Sequence, residues 1–323
     1  MLTLGRQEIE TLLPLGECVE VMAATLTALA RGEALQPLRQ AHWLPDRRGL
    51  LGVMPGALLD RGPDGEPEAV LGVKVVTVFP GNHARGGETH LGSVLLFDSD
   101  QGRPLAILDA AAVTAVRTAA VSALATRLLA REDASRLALL GSGTQARAHL
   151  AALREVRPLR QVRVWSLHPE NARRFAAEES ARQGLCIQAA ATAEEAVADA
   201  DVVCTVTSAT EPVLAGSWLP PGSHVNAVGA CTPSAREIDT EAVRRARLFV
   251  DRRESALAEA GDLLIPIQEG AVGEDHIAGE LGDLLLGLLP GRRSAEEITL
   301  FESLGLAVED LAAARHVWRK ALR

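Results

Sequence analysis

"LALLGSGTQARAHL", residues 137–150, joins an apolar strand-like run, a turn carrying Gly141 and Gly143, and the start of a helix. The order Gly141-Ser-Gly143-Thr-Gln-Ala146 is a G-x-G-x-x-A. In such a motif the first glycine permits the tight turn, the second lets a pyrophosphate approach the backbone, and a small third residue keeps helix against strand. The helix start adds open N–H groups and a positive dipole end. The motif alone is weak, and its context decides it. Downstream, "QVRVWSL", "DVVCTVTSA", "SHVNAVGA" and "ARLFVD" read as strands, with helical "NARRFAAEESARQG" and "ATAEEAVADA" among them. Apolar strands alternating with helices predict βαβ units on a parallel sheet, hence an α/β fold of Rossmann type.

Upstream the rhythm differs. Residues 1 to about 30 read as helical and stop at Gly32. "LRQAHWLP", "GLLGVMPGALL", "AVLGVKVVTVFP" and "GSVLLFD" are short strand-like runs, which predict a largely antiparallel sheet. "PGNHARGGETHLG" (80–92) reads as a glycine-rich loop, and 116–130 as an alanine-rich helix. The last stretch, "FESLGLAVEDLAAARHVWRKAL", is amphipathic and helical.

With 323 residues there is room for two domains, and 47% apolar with 23% charged residues is ordinary for a soluble globular protein. The net charge of −9 argues against a nucleic-acid or anionic-membrane partner. Cys18, Cys186, Cys204 and Cys231 have neither disulfide-framework nor zinc-ligand spacing, so no metal is expected. The absence of a signal-peptide pattern, and of an apolar run near the roughly 20 residues of a membrane span, predicts a cytoplasmic protein.

At the end of the second strand, "VWSLHPENARR" offers Ser166 and His168, with Arg173 and Arg174 nearby. An NAD site normally has Asp or Glu there for the ribose hydroxyls. Without an acid to repel a 2′-phosphate, NADPH is the expected coenzyme, with NADH possible.

Three cations lie in apolar surroundings: Arg39 in "QPLRQAHWL", Lys74 in "LGVKVVTVF" and Arg117 opening "RTAAVSALATRLLA". Singly, each has a structural alternative, a snorkelling lysine or a salt-bridged arginine. Together they suit capture of a substrate carboxylate, with the lysine adding a proton. His90 is a further candidate proton carrier. Cys231, in "VNAVGACTPSAREID" (225–239), has no motif-placed base beside it and so lacks the activation a nucleophilic thiol needs.

Taken in order, "LQPLRQ", "RGLLGVMP", "GVKVVTVF", "GSVLLFDSDQGRPLAILDAAAVTAVRTAAVSALAT", "LLGSGTQARAHL", "DVVCTVTSATEPVL", "HVNAVGACTPSAREID", "AEAGDLL" and "FESLGLAVED" resemble the ornithine cyclodeaminase/mu-crystallin family over almost the whole chain, closest to its ketimine-reducing mu-crystallin branch. The resemblance implies a homodimer. It implies a substrate-binding and dimerisation domain of residues 1–125 plus 305–323, with a Rossmann domain of residues 126–304 inserted. Arg39, Lys74 and Arg117 then match carboxylate-binding positions. Gly141, Gly143, Thr144, Gln145, Ser166, His168, Arg173, Val206, Thr207, Val228 and Gly229 fall to the coenzyme, and His90, Cys231 and Ser303 to the substrate pocket. Deaminating relatives carry Asp soon after the glycine matching Gly229, where this chain has Ala230-Cys231-Thr232. The implied activity is therefore NAD(P)H-dependent reduction of cyclic ketimine carboxylates. Ornithine cyclodeamination, alanine-type amino-acid dehydrogenation and non-enzymatic ligand binding are the alternatives.

Overall fold

The computed structural model describes residues 1–59, 69–85, 87 and 89–323. They divide into two compact units, Met1–Arg117 with Gly305–Arg323, and Thr118–Leu304. The division falls earlier than residue 125, inside one continuous helix.

The first unit contains β1 (Leu2–Leu4), α1 (Arg6–Leu12), α2 (Leu15–Ala30), β2 (Ala34–Leu35), β3 (Gln40–Trp43), β4 (Leu50–Leu58), β5 (Val70–Val78), β6 (His90–Asp98), β7 (Pro104–Asp109) and the start of α3 (Ala110–Leu129). The second continues α3 and adds β8 (Arg136–Leu140), α4 (Thr144–Arg154), β9 (Gln161–Trp165), α5 (Pro169–Gln183), β10 (Ile187–Ala189), α6 (Ala193–Val197), β11 (Val202–Thr205), β12 (His224–Ala227), α7 (Thr240–Arg245), β13 (Arg247–Val250), α8 (Arg253–Glu259), α9 (Gly261–Gln268), β14 (Ile277–Glu280), α10 (Leu281–Leu285) and β15 (Thr299–Glu302). The last helix, α11 (Ala307–Ala321), returns to the first unit.

The N-terminus is not helical throughout. Leu2–Leu4 pair parallel with β7, and the helix that follows breaks at Leu13 and Pro14, turning by 81° into α2. Pro14 has no N–H to continue the first helix but suits the start of the second. The stretch 80–92 also departs from a plain loop: Pro80–Arg85 form a 3₁₀ turn, and His90 already belongs to β6. Residues 86 and 88 of that stretch lie outside the described residues.

The first sheet runs β1-β7-β6-β5-β4-β2, with β3 also pairing β4 and only the β1–β7 pair parallel. Register places Met54, Lys74 and Val94 side by side on its inner face. Helix α11 covers that face, and Gly72 lets it approach: a Cβ there would strike Leu311 and the carbonyl of Leu95. Most of α11, from Ala307 through Ala314, is buried.

The second sheet is wholly parallel, in the order β10-β9-β8-β11-β12-β15-β13-β14. Its central strands β11, β12 and β15 are buried at every residue, as strands covered on both faces must be. Strand order reverses between β8 and β11, the place where open α/β sheets bind ligands at the carboxyl ends of their strands. Among the described residues α3 alone is long and apolar enough by composition to cross a membrane, despite Arg117 and Arg127, and it is mostly buried within the protein.

Candidate functional site

In the second unit, the chain leaves β8 through Gly141, whose φ of +121° favours glycine and whose absent Cβ would meet the Val206 carbonyl. Its N–H donates to the Trp165 carbonyl at 2.8 Å, fixing the turn between two strand ends. Gly143 caps α4 without a side chain, and a Cβ there would meet nothing within 4 Å. Ala146 is fully buried where helix meets strand. Gln145 Oε1 is buried without a partner among the described residues. An open backbone cradle at a helix N-terminus fits the pyrophosphate of a dinucleotide.

At the end of β9, Ser142 Oγ donates to Ser166 Oγ at 3.1 Å, while His168 and Arg173 are exposed. Arg174 Nη2 donates to Asn171 Oδ1. An acid does lie here: Glu170, in the first turn of α5, has Oε1 3.8 Å from His168 Nδ1. It sits beyond the strand end, where ribose-binding acids are sought.

Glu237 has a position no sequence motif indicated. It is fully buried, and its Oε1 accepts from both the N–H and hydroxyl of Thr207, each at 2.6 Å. Its Oε2 accepts from the Gly229 N–H, also at 2.6 Å. One carboxylate thus ties together the exits of β11 and β12, the two segments that the sequence resemblance gives to the coenzyme. Asp262 Oδ1 anchors this segment in turn, accepting from the N–H groups of Glu237 and Ile238 at 2.8 and 2.9 Å. Burial, then the charge of Asp262, pushes the Glu302 carboxyl well up, and burial raises Asp262 as well. Cys231 is half-buried and its thiol donates to the Val228 carbonyl at 3.6 Å. Ser303 is buried, with its hydroxyl unpartnered among the described residues.

In the first unit, the three cations come together around two acids of α11. Lys74 Nζ lies 2.6 Å from Asp310 Oδ2, and 3.5 Å from Thr114 Oγ1. Arg117 donates through Nε to Asp310 Oδ1 at 2.8 Å and through Nη1 to Glu309 Oε2 at 2.9 Å. Arg39 Nη2 donates to the Gly305 carbonyl at 3.1 Å. Lys74 and Arg117 are each only 4% exposed. Glu309 also accepts from the Leu306 N–H at 3.1 Å, capping the helix that carries it. Buried guanidinium and ammonium groups gathered this closely suit an anionic ligand.

Burial depresses the Lys74 ammonium to about 8, with Arg117 and Arg39 adding to the effect and Asp310 opposing it. Burial pushes Asp310 up, but Arg117 and Lys74 override it and hold the carboxyl below its usual range. His90, exposed at the start of β6, shares a 2.9 Å hydrogen bond with Thr89 Oγ1. Its imidazole is lowered first by desolvation and then by the Lys74 charge. No group of three or more metal-ligating side chains occurs among the described residues.

A parallel sheet with a dinucleotide cradle, in a chain that also builds a buried cationic cluster, defines a nicotinamide-type binding protein for small anionic substrates. The chain belongs to the ornithine cyclodeaminase/mu-crystallin family, whose sequence profile matches residues 1–323. It is 41% identical over 300 residues to the ketimine reductase mu-crystallin of Mus musculus, covering 93% of this chain and 90% of the relative. It is similar to the solved structure of Thermococcus litoralis Δ1-pyrroline-2-carboxylate reductase in complex with NADH and L-proline, with a TM-score of 0.94, 39% identity, and coverage of 100% and 98%. An archaeal alanine dehydrogenase dimer with bound NAD superposes with a TM-score of 0.91 at 32% identity, covering 100% of this chain and 96% of that one.

Proposed function

We propose that this protein is a nicotinamide-dependent reductase of cyclic ketimine carboxylates, such as Δ1-piperideine-2-carboxylate and Δ1-pyrroline-2-carboxylate, forming the cyclic imino acids. The observation that carries the reading is a buried lysine, depressed to about 8, held between two arginines and an aspartate. The relatives named ketimine reductase and Δ1-pyrroline-2-carboxylate reductase support it. NADPH is the preferred coenzyme and NADH is accepted: Ser166 and His168 offer hydrogen bonds to a 2′-phosphate, while Glu170 moderates the preference.

Arg39 and Arg117 bind the substrate carboxylate and fix the ring; Glu309 and Asp310 lock the guanidinium plane of Arg117 for that purpose. Lys74 delivers a proton to the imine nitrogen. Gly141, Gly143, Thr144, Gln145, Val206, Thr207, Val228 and Gly229 would hold the coenzyme, which when bound would supply the hydride. Cys231, Ser303 and His90 contact the substrate, the first two as neutral groups. The neutral run Ala230–Thr232 supports reduction over ammonia loss.

The active form is a homodimer, and it acts in the cytoplasm. The outer face of the first sheet supports the dimer: Leu51, Leu71 and Leu91 are exposed there, with the half-buried Val53, Val73, Val75 and Leu95 on the same side. Such a patch on a sheet face is costly to leave in water. Paired assays test the reading. Protein with NADPH and either ketimine should consume the coenzyme stoichiometrically, and protein with ornithine should release no ammonia. Ammonia release without net coenzyme turnover would refute it.

A further inference from the structure

Deepening the reading of Lys74 as proton donor, and resting on it, we propose that Asp310 is the positioning residue of the cationic cluster: one carboxylate oxygen ion-paired with Lys74 Nζ and the other accepting from Arg117 Nε fix the two cations relative to each other, and its charge keeps the lysine protonated. A single fully buried carboxylate spans both, at 2.6 and 2.8 Å. Its place in the opening turns of α11, where the helix dipole favours negative charge, helps hold it ionised.

The charged and titratable groups facing the lysine come from every neighbouring element. Arg117 lies on α3, Arg39 precedes β3, and His90 lies on β6; Glu309 on α11 and Cys18 on α2 face it through Arg117. Burial, Arg117 and Arg39 all work against a charged Lys74, and only Asp310 among the causes works for it. Glu309, the neighbouring acid, bonds Arg117 and the Leu306 N–H. Without Asp310, a dry lysine beside two guanidinium groups loses its proton more readily, and a donor for imine reduction becomes a neutral amine.

The sign is fixed by the depressed ammonium. Lys74 is charged below pH about 8 and neutral above, so kcat/KM falls as pH rises through that value. In Asp310→Asn the alkaline limb should move at least about one pH unit lower, so that kcat/KM falls about threefold or more at pH 7.5 and about tenfold at pH 9, and is nearly recovered at pH 6. The substrate's own imine titrates identically with both enzymes, so only their difference is read. Coenzyme affinity should be unchanged. A limb that stays in place, with kcat/KM within about threefold at every pH, overturns the proposal.

The lysine can also be read without any substrate, because the sequence contains only two, Lys74 and Lys320. Protein carrying 13C-labelled lysine gives two Cε signals, and Lys320→Ala assigns them. The Lys74 signal should titrate near 8 in the native protein and at lower pH in Asp310→Asn. If ketimines are not reduced but the titration moves, the reaction is wrong and Asp310 stands; reduction with an unmoved titration sinks Asp310 alone. Should circular dichroism show Asp310→Asn unfolded, Asp310→Glu decides. It keeps the charge and the limb but displaces Nζ, so kcat should fall about tenfold, and an undiminished kcat contradicts the proposal.

Discussion

The two units build their candidate sites by opposite means. The cradle at Gly141–Gln145 is backbone: N–H groups at a helix end, shaped by the absence of side chains. The cluster around Lys74 is side chain: five charged groups drawn from positions 39, 74, 117, 309 and 310. A backbone site needs consecutive residues, so it leaves a local signature. A buried side-chain cluster needs each charge answered by another, so its parts lie far apart in sequence and cannot be exchanged singly.

That contrast predicts how each site fails. Lys74→Ala should cause the largest loss, about a thousandfold in kcat/KM, with coenzyme affinity within about twofold; comparable loss of coenzyme binding would break the separation of roles. Gly141→Val should do the reverse. The positive φ and the Val206 carbonyl leave no room for the side chain, so coenzyme affinity, read by nicotinamide fluorescence, should drop at least about a hundredfold. Binding of a carboxylate inhibitor to the first unit's cluster should survive in that variant.

A third effect is on stability and confined to the second unit. Asp201 is buried and accepts from Arg131, Arg136 and the N–H of Ser135. Burial pushes its carboxyl up, but the Arg136 side chain and the backbone N–H groups win and hold it at about 2. A depressed carboxyl stabilises above its unfolded value near 3.8 and loses that contribution as pH falls towards 2. Asp201→Asn should therefore cost about 1–2 kcal/mol at pH 7 and nearly nothing at pH 2. Chemical denaturation at several pH values checks this, and a cost independent of pH would contradict it. The smallest effect sharpens the coenzyme comparison: Glu170→Gln removes a charge 3.8 Å from His168 and should raise the NADPH-over-NADH ratio of kcat/KM about two- to fivefold.

Legibility in the sequence follows the same divide. The parallel sheet and its G-x-G-x-x-A turn could be read because strand periodicity, turn glycines and helix start are neighbours in the chain. Arg39, Lys74 and Arg117 could be singled out because each is a charge in an apolar run. Glu309 and Asp310 could not, since acids in the first turn of an amphipathic helix are the ordinary capping pattern and nothing local marks them as buried. Glu237 is hidden for a related reason: it is one polar residue in a polar segment, and its burial depends on the exits of β11 and β12. At the N-terminus, Leu2–Leu4 merged into the helical pattern because three residues are too few to show period two, and only pairing with β7 makes them a strand.

The central claim is that the substrate's C=N bond is reduced, and product labelling tests it most directly. NADPH carrying deuterium at both C4 positions is supplied with Δ1-pyrroline-2-carboxylate, and the imino acid is analysed by mass spectrometry. One deuterium should appear at the ring carbon bearing the carboxylate, matched mole for mole by oxidised coenzyme. A product without deuterium, or coenzyme left unchanged while ornithine loses ammonia, would contradict the account.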